Sequence, residues 1–234
     1  MRASTKFLFL ACLLSDLSGA GPLTMFAQTK TENLKPWEVL FDGESVEHWR
    51  AYRRDTFPQK SWTVENEALR AIGSGDRADL ITKKKYEDFE LELEWKMSPG
   101  GNSGIIYRVA EDFERAWHTG PEIQLLDDDK HKDGKDAATS AGALYALIAP
   151  TNKNLHPTGH WNQMRVVARG DHVEHWLNGA KVVEYELDSP ALNALIAKSK
   201  FVDKPRFTKE RNGHIALQHH GADVWFRNIR IRQL

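Results

Sequence analysis

The segment Phe89-Glu90-Leu91-Glu92-Leu93-Glu94-Trp95-Lys96-Met97 alternates apolar and charged positions without a break. Side chains alternate faces along a strand, whereas a helix would scatter the same apolar residues around its axis. The period therefore predicts a half-buried β-strand, with Glu90, Glu92, Glu94 and Lys96 on a solvated outer side. Shorter segments repeat the theme. Val39 to Phe41 runs into an Asp42-Gly43 turn. Trp62-Thr63-Val64 and Ala68 to Ile72 flank Glu65-Asn66-Glu67 as a hairpin. Leu80-Ile81-Thr82 is a further short strand, and Gly142 to Ile148 reads as another ending before Pro150. Trp161 to Arg169, His172 to Leu177 and Lys181 to Leu187 form a meander, turning at Gly170-Asp171 and Asn178-Gly179. In the last strand Val224 and Phe226 share one face, while Ile229 and Ile231 belong to the other phase. That break predicts a bulge near Arg227-Asn228. One helix is expected near 189–200, with Asp188 or Ser189 as cap and Pro190 in its first turn. The sum is an all-β chain folded as an antiparallel β-sandwich, not alternating βα units.

Composition fits this picture. The chain has 234 residues, 41% hydrophobic and 28% charged, enough for one domain with a sizeable core. It has no internal repeat and no apolar run long enough to span a bilayer. A formal charge of −1 gives no basic excess and argues against nucleic acid as a partner. Eight Trp suit either stacking on sugar rings or filling a sandwich core. At the start, Arg2 and Lys6 precede the apolar run Phe7 to Leu14, and small residues follow at Ala20 and Ala27. We read residues 1–27 as a signal peptide, 28–36 as a lead-in and 37–234 as the domain. Cleavage after Ala27 removes Arg2, Lys6, Asp16 and the only cysteine, Cys12 (a lipidation site in an alternative reading). An exported chain of this size without disulfides points to the periplasm or cell surface of a bacterium.

Candidate chemistry concentrates in two glycine-led strands, Gly100 to Arg108 and Gly120 to Asp127. Glu122 and Gln124 share one face of the second strand, opposite Ile123 and Leu125. A conventional glycosidase needs two carboxyl groups flanking the scissile bond. Here Leu126 stands four residues after Glu122, and Asp127 lies in the opposite phase, so that pair is missing. Asp129-x-His131-x-Asp133-Gly134 is a poor calcium loop: His131 replaces an oxygen ligand and Ser140 stands where a bidentate Glu belongs. It reads as a solvated loop. His156 and His160 lie in a Pro-containing loop, so their spacing carries little metal information.

Phe41-Asp42-Gly43, Gly101 to Arg108, Glu122 to Asp127, Gly142 to Tyr145, Trp161-Asn162, Leu177-Asn178-Gly179, Leu217-Gln218-x-His220-Gly221 and Phe226 to Ile229 follow one another in a familiar order. Together they resemble the 3-keto-disaccharide hydrolase family over roughly residues 37–234. The resemblance implies a concanavalin A-like jelly roll with a concave, sugar-holding face, and an exported enzyme acting on 3-keto-glycosides. It also implies a partner oxidoreductase that makes the 3-keto sugar. The sequence departs from the family at His219, where an acidic residue commonly precedes the His-Gly pair.

A ketone at C3 makes the C2 proton acidic, so one general base can start an elimination that expels the C1 substituent, and water can then add. Such a site needs a base tuned near ambient pH and a positive group or metal at the ketone oxygen. Glu122 and His220 are the candidate bases, and also the candidate ligands if a divalent metal serves as cofactor. Arg108 is the candidate oxyanion partner. Asn102, Ser103, Gln124 and Gln218 are candidate contacts for sugar hydroxyls, and Tyr145 can bond or stack. His175 is assigned either to the cleft or to the core. The expectation is that Glu122, Arg108 and His220 converge. The alternatives are a non-catalytic carbohydrate-binding module on the same scaffold, or a structural domain of the envelope.

Overall fold

Alternation along Phe89–Met97 buries Phe89, Leu91, Leu93, Trp95 and Met97, each at most 2% exposed. This strand lies in the larger of two packed sheets. The computed structural model describes residues 34–234. The leader read from residues 1–27, with Cys12, and most of the lead-in lie outside the described residues. Before the helix the strands are β1 (Glu38–Phe41), β2 (Trp49–Ala51), β3 (Trp62–Glu65), β4 (Ala68–Ala71), β5 (Leu80–Thr82), β6 (Phe89–Met97), β7 (Asn102–Val109), β8 (Glu122–Leu126), β9 (Asn162–Arg169), β10 (His172–Leu177) and β11 (Ala180–Glu186). Helix α1 (Pro190–Ile196) and strands β12 (His214–Leu217) and β13 (Val224–Gln233) complete the fold.

An eight-stranded sheet has the order β11-β10-β9-β6-β13-β4-β3, with β1 also paired to β13. The five-stranded sheet has the order β2-β5-β12-β7-β8, and every pairing in both sheets is antiparallel. Leu80, Ile105, Tyr107, Ile123, Leu125, Ile215 and Leu217 from the smaller sheet join the inner faces of β6, β9, β10 and β13 in one core. Removing that apolar area from water is the main drive for the fold.

The hairpins form as expected. Asn66 and Glu67 both have positive φ between β3 and β4, as do Asn178 and Gly179 between β10 and β11, the conformation a two-residue hairpin requires. The ladder between β13 and β6 shifts between Arg227 and Arg230, with Asn228 at φ 52°, so the bulge falls where the change of phase put it. The Ser189 side chain accepts from Leu192 N–H and caps α1, with Pro190 in the first turn.

Two expectations need correction. Gly142 to Ile148 is not a regular strand. Leu144 bridges singly to Ile123 and to Ile148, and Ala146 turns through φ 59°. The segment instead ties itself to the edge of β8 through Gln124 N–H to Ala143 O, Gly142 N–H to Gln124 O and Tyr145 N–H to Glu122 O. Nor is the outer face of β6 merely solvated. Glu90, Glu92 and Glu94 accept from Arg232 (2.6 Å), Arg230 (2.9 Å) and Arg227 (2.7 Å) on β13, and Arg165 also donates to Glu90. The tryptophans divide accordingly. Trp49, Trp62 and Trp95 fill the core. Trp37, Trp161 and Trp176 carry guanidinium groups over their rings on the outer face, at 4.1–4.9 Å.

Candidate active site

The face of the five-stranded sheet turned away from the core carries most of the candidate residues. Ile81, Ile106, Ala116 and Ala216 form an apolar strip along it, joined by Tyr52 and Trp117. Glu122, Gln124, Asn102 and Gln218 form a polar patch beside that strip, each 9% exposed or less. Glu122 lies across Gly104 of the neighbouring strand. A Cβ at Gly104 would stand 2.7 Å from the Glu122 Cδ and 2.8 Å from its Cγ. Only glycine leaves room for the carboxylate to lie flat on the sheet.

Burial pushes the Glu122 carboxyl from its ordinary 4.5 up to about 8, against the pull of the Lys200 ammonium, with the neighbouring Asp79 adding to the rise. Gln218 is within hydrogen-bonding reach and favours the charged form. Lys200 reaches this face from the segment after α1. Its Nζ sits 4.2 Å from the Tyr145 ring centroid and 4.8 Å from that of Trp117. Burial among these rings lowers the Lys200 pKa, opposed by the charges of Glu122 and Asp133. No ion pair closes between Glu122 and Lys200. A buried carboxyl and an exposed ammonium lying over aromatic rings therefore act on one another across the site.

Asp133 stands on the third side. The Tyr145 hydroxyl points to its carboxylate at 3.5 Å. Burial and the Asp133 charge push the Tyr145 phenol to about 12. His220 is exposed, its pKa lowered by partial burial and by the Arg77 guanidinium, and raised in turn by Asp133. His131 Nδ1 accepts from Asp133 N–H at 3.2 Å, and its Nε2 lies 3.5 Å from Asn102 Nδ2. Gln124 Nε2 donates to Asn102 Oδ1 at 3.5 Å, while its buried Oε1 has no partner. An unpaired acceptor of this kind is costly unless a ligand or water satisfies it.

Thus Glu122, Gln124, Asn102, Gln218 and Tyr145 come together as expected, and His220 joins them through the shared neighbour Asp133. Three other residues do not. Arg108 is 1% exposed and donates to the carbonyls of Glu87 (3.0 Å) and Gly170 (2.8 Å). Its own φ of 54° falls where the β7–β12 ladder shifts register, so the side chain leaves the face that regular alternation assigns it. Ser103 is fully buried on the core side of β7, and its Oγ donates to Gln218 O at 2.8 Å. His175 is in the core: Tyr107 Oη lies 2.9 Å from its Nε2, Gly142 O is on its other nitrogen, and burial drives its pKa down to about 3. Tyr185 completes that internal cluster through the Tyr107 hydroxyl.

His219, the departure from the family pattern, is structural. Its Nδ1 accepts from Gly221 N–H, and its Nε2 therefore carries the proton that meets Ile72 O at 3.0 Å. Its backbone N–H donates to Asp79, whose carboxyl burial raises to about 6. Glu122 and His220 belong to no trio of carboxylate and imidazole ligand atoms within 4.8 Å. Among the described residues the trio that meets this spacing is His172, Glu174 and Glu184, on the other sheet, where the Lys181 ammonium already pairs with both glutamates.

Reading by sequence missed Lys200, Asp133, His131 and Asp79. The polar loop 127–136 was set aside as solvated, yet it is pinned. Asp127 accepts from Gly100 N–H, and Asp128 from Ala141 N–H. That anchoring carries His131 and Asp133 to the site. The pattern around Lys200 gave no signal.

Two packed antiparallel sheets with a polar, partly aromatic patch on one open face form a jelly-roll sandwich. The chain belongs to the 3-keto-alpha-glucoside-1,2-lyase-like domain family, whose model matches residues 36–232. A 3-keto-disaccharide hydrolase of Bacteroides thetaiotaomicron is 37% identical over 226 residues, covering 84% of this chain and 78% of that protein. A crystal structure from Parabacteroides distasonis, provisionally named a glycosyl hydrolase, superposes with a TM-score of 0.78 at 31% identity, covering 85% of this chain and 94% of that one. The carbohydrate-binding module CBM66 of Bacillus subtilis shares the fold alone, with a TM-score of 0.50 at 14% identity over 80% of this chain and 96% of the module.

Proposed function

We propose that this protein cleaves 3-keto-disaccharides by elimination across C1 and C2 of the oxidised sugar, with Glu122 as the base. The observation that carries this is the Glu122 carboxyl, buried across Gly104 and tuned to about 8 while facing the Lys200 ammonium. In its ionised form Glu122 takes the proton from C2, and the electron pair moves to the C3 oxygen as an enolate. Lys200 stabilises that charge. The enolate then re-forms the ketone, C1=C2 forms, and the C1–O bond breaks with its electrons leaving on the aglycone oxygen. That oxygen takes a proton from solvent. Water adds at C1 and a proton returns to C2 from Glu122, giving the free 3-keto sugar. Gln124, Asn102 and Gln218 hold hydroxyls, and Tyr145 and Trp117 offer ring faces. No second carboxylate is required, which matches the missing glycosidase pair.

The leader read from residues 1–27 supports action outside the cytoplasm, in the periplasm or at the cell surface. An oxidoreductase must act first, because the elimination needs the ketone. No helix among the described residues is long and apolar enough to cross a membrane.

The test is release of chromophore from a 3-keto-glucoside by wild type and Glu122→Gln. Wild type is expected to turn over, and the variant to lose about a thousandfold or more, within the usual range for a general base. Full activity in Glu122→Gln would remove the base from this position. A parallel arm with chelator addresses the divalent-metal expectation. Loss that is restored by a divalent cation would sustain it.

A further inference from the structure

Nine of the described arginines form ion pairs with carboxylates: Arg50, Arg70, Arg108, Arg165, Arg206, Arg211, Arg227, Arg230 and Arg232. Arg169 also has an interaction. The remaining four, Arg53, Arg54, Arg77 and Arg115, are exposed and form no side-chain ion pair with a carboxylate, and all four line one pocket of about 290 Å³. Tyr52, Ala78, Asp79 and Glu114 complete its walls. These arginines come from three separate stretches of chain, so one local run of basic sequence does not explain the cluster.

The pocket continues the face that carries Glu122. Tyr52 belongs both to its wall and to the apolar strip of Ile81, Ile106 and Ala216. Asp79 lines the pocket and also acts on the Glu122 carboxyl. The Arg77 guanidinium lies against Gly221, next to His220, and repels a proton there. The two acidic groups offset the cluster only in part. Asp79 accepts from the His219 N–H and feels the charge of Arg115, and neither Asp79 nor Glu114 forms an ion pair with the four arginines. Nine other guanidinium groups are paired with carboxylates, whereas these four open together onto one hollow, where an outside anion can meet them. Planar guanidinium groups match carboxylate, sulfate and phosphate oxygens in paired hydrogen bonds.

We propose that this pocket is an anion subsite that selects 3-keto-disaccharides whose second sugar carries an acidic group. The proposal rests on the cleavage reading above and adds the substrate class to it. The substituent on C1 extends from Glu122 past Asp79, and its acidic group is held by Arg53, Arg54, Arg77 and Arg115.

The experiment compares three substrates with the same 3-keto-glucosyl unit joined to glucose, to glucuronate or to glucose 6-sulfate. Wild type is expected to show kcat/KM about tenfold higher for at least one anionic substrate than for the neutral one, through KM, with the advantage shrinking as salt is raised. Preference for the glucuronate or for the sulfate identifies which oxyanion the pocket takes. In Arg53→Ser/Arg54→Ser and in Arg115→Ser the anionic-to-neutral ratio is expected to fall toward one. A wild-type ratio at or below one, or a ratio the variants do not move, overturns the subsite. Failure of wild type to cleave any of the three substrates would instead overturn the cleavage reading. Calorimetric binding of the unoxidised glucosyl-glucuronate to wild type and variants then tests the pocket without turnover: tighter binding than the neutral disaccharide, lost in the variants, sustains it, and equal binding overturns it.

Discussion

The two outward faces of the sandwich treat charge in opposite ways. On the eight-stranded sheet, Glu90, Glu92 and Glu94 each meet an arginine of β13, and the arginines lie over Trp37 or Trp161. Each of these three carboxylates is paired there with a guanidinium group. On the five-stranded sheet, Glu122 is buried without an ion pair, Lys200 is held by rings instead of a carboxylate, and Gln124 Oε1 has no partner at all. Unpaired polar groups cost stability where they are buried. The first face contributes a little stability and no chemistry. The second gives up stability to keep a base and a cation apart until a ligand separates them from water.

The largest test of that contrast is pH. The Glu122 carboxyl is raised from 4.5 to about 8 on folding, so the folded protein binds more protons than the unfolded chain between those values. Stability contributed at this site is therefore lost as pH rises from 4.5 and reaches its minimum above 8. Glu122→Gln removes the penalty. The variant is expected to be more stable than wild type at pH 9 by on the order of a few kcal/mol, and to lose that advantage near pH 4.5. Turnover in wild type is expected to climb with pH to an apparent pKa near 8 that belongs jointly to Glu122 and Lys200. Thermal melts across pH and a pH–rate profile read both. A variant no more stable than wild type at pH 9 would mean that the carboxyl is not held protonated.

Gly104→Ala sharpens the same point with a single methyl group. The new Cβ would meet the Glu122 side chain at 2.7 Å or less, and Glu122 must swing off the sheet. Activity is expected to fall about a hundredfold, as misplacement by about an ångström commonly costs. The apparent pKa should move back toward the ordinary carboxylate range as the group gains water. Activity within twofold of wild type would show that the flat pose is not the working one.

Arg108 belongs with neither face. Arg108→Ala strands the Glu87 and Gly170 carbonyls and empties a buried site, and is expected to cost about 3 kcal/mol in a denaturant melt. Turnover per folded molecule should not change. A loss of kcat without loss of stability would return Arg108 to the chemistry.

Much of the fold was legible because period and turn residues specify strands directly. The alternation of β6, the Asn178-Gly179 turn and the phase break at Arg227-Asn228 all appear in the structure. The pair Glu122 and Gln124 was legible for the same reason, being two residues apart on one strand. The errors arose where periodicity was not followed through or was broken. Ser103 shares its phase with Ile105 and Tyr107, so it faces the core, and His175 lies between Val173 and Leu177 in the same sense. Arg108 was lost to the bulge at its own position, which no pattern in Gly104 to Val109 announces. Lys200, His131 and Asp133 lie outside the strands and reach the site through the path of their loops, which depends on anchors such as Asp127 and Asp128 far along the chain.

The smallest effect is expected on the paired face. Glu92 accepts from Arg230 Nε at 2.9 Å, and the two side chains are 16% and 49% exposed. Water already screens such a pair, and holding two long side chains costs entropy. Glu92→Gln also leaves Arg230 its place over Trp37, at 4.5 Å from the ring centre. The expected loss is about 0.5 kcal/mol in low salt, falling toward zero in 1 M salt, where the screening length is about 3 Å. Activity should not change. If Glu92→Gln instead costs as much as Arg108→Ala, or slows turnover, the ladder is a coupled network and the contrast between the faces fails. Equal losses at low and high salt would mean that Glu92 contributes through packing and not through its charge.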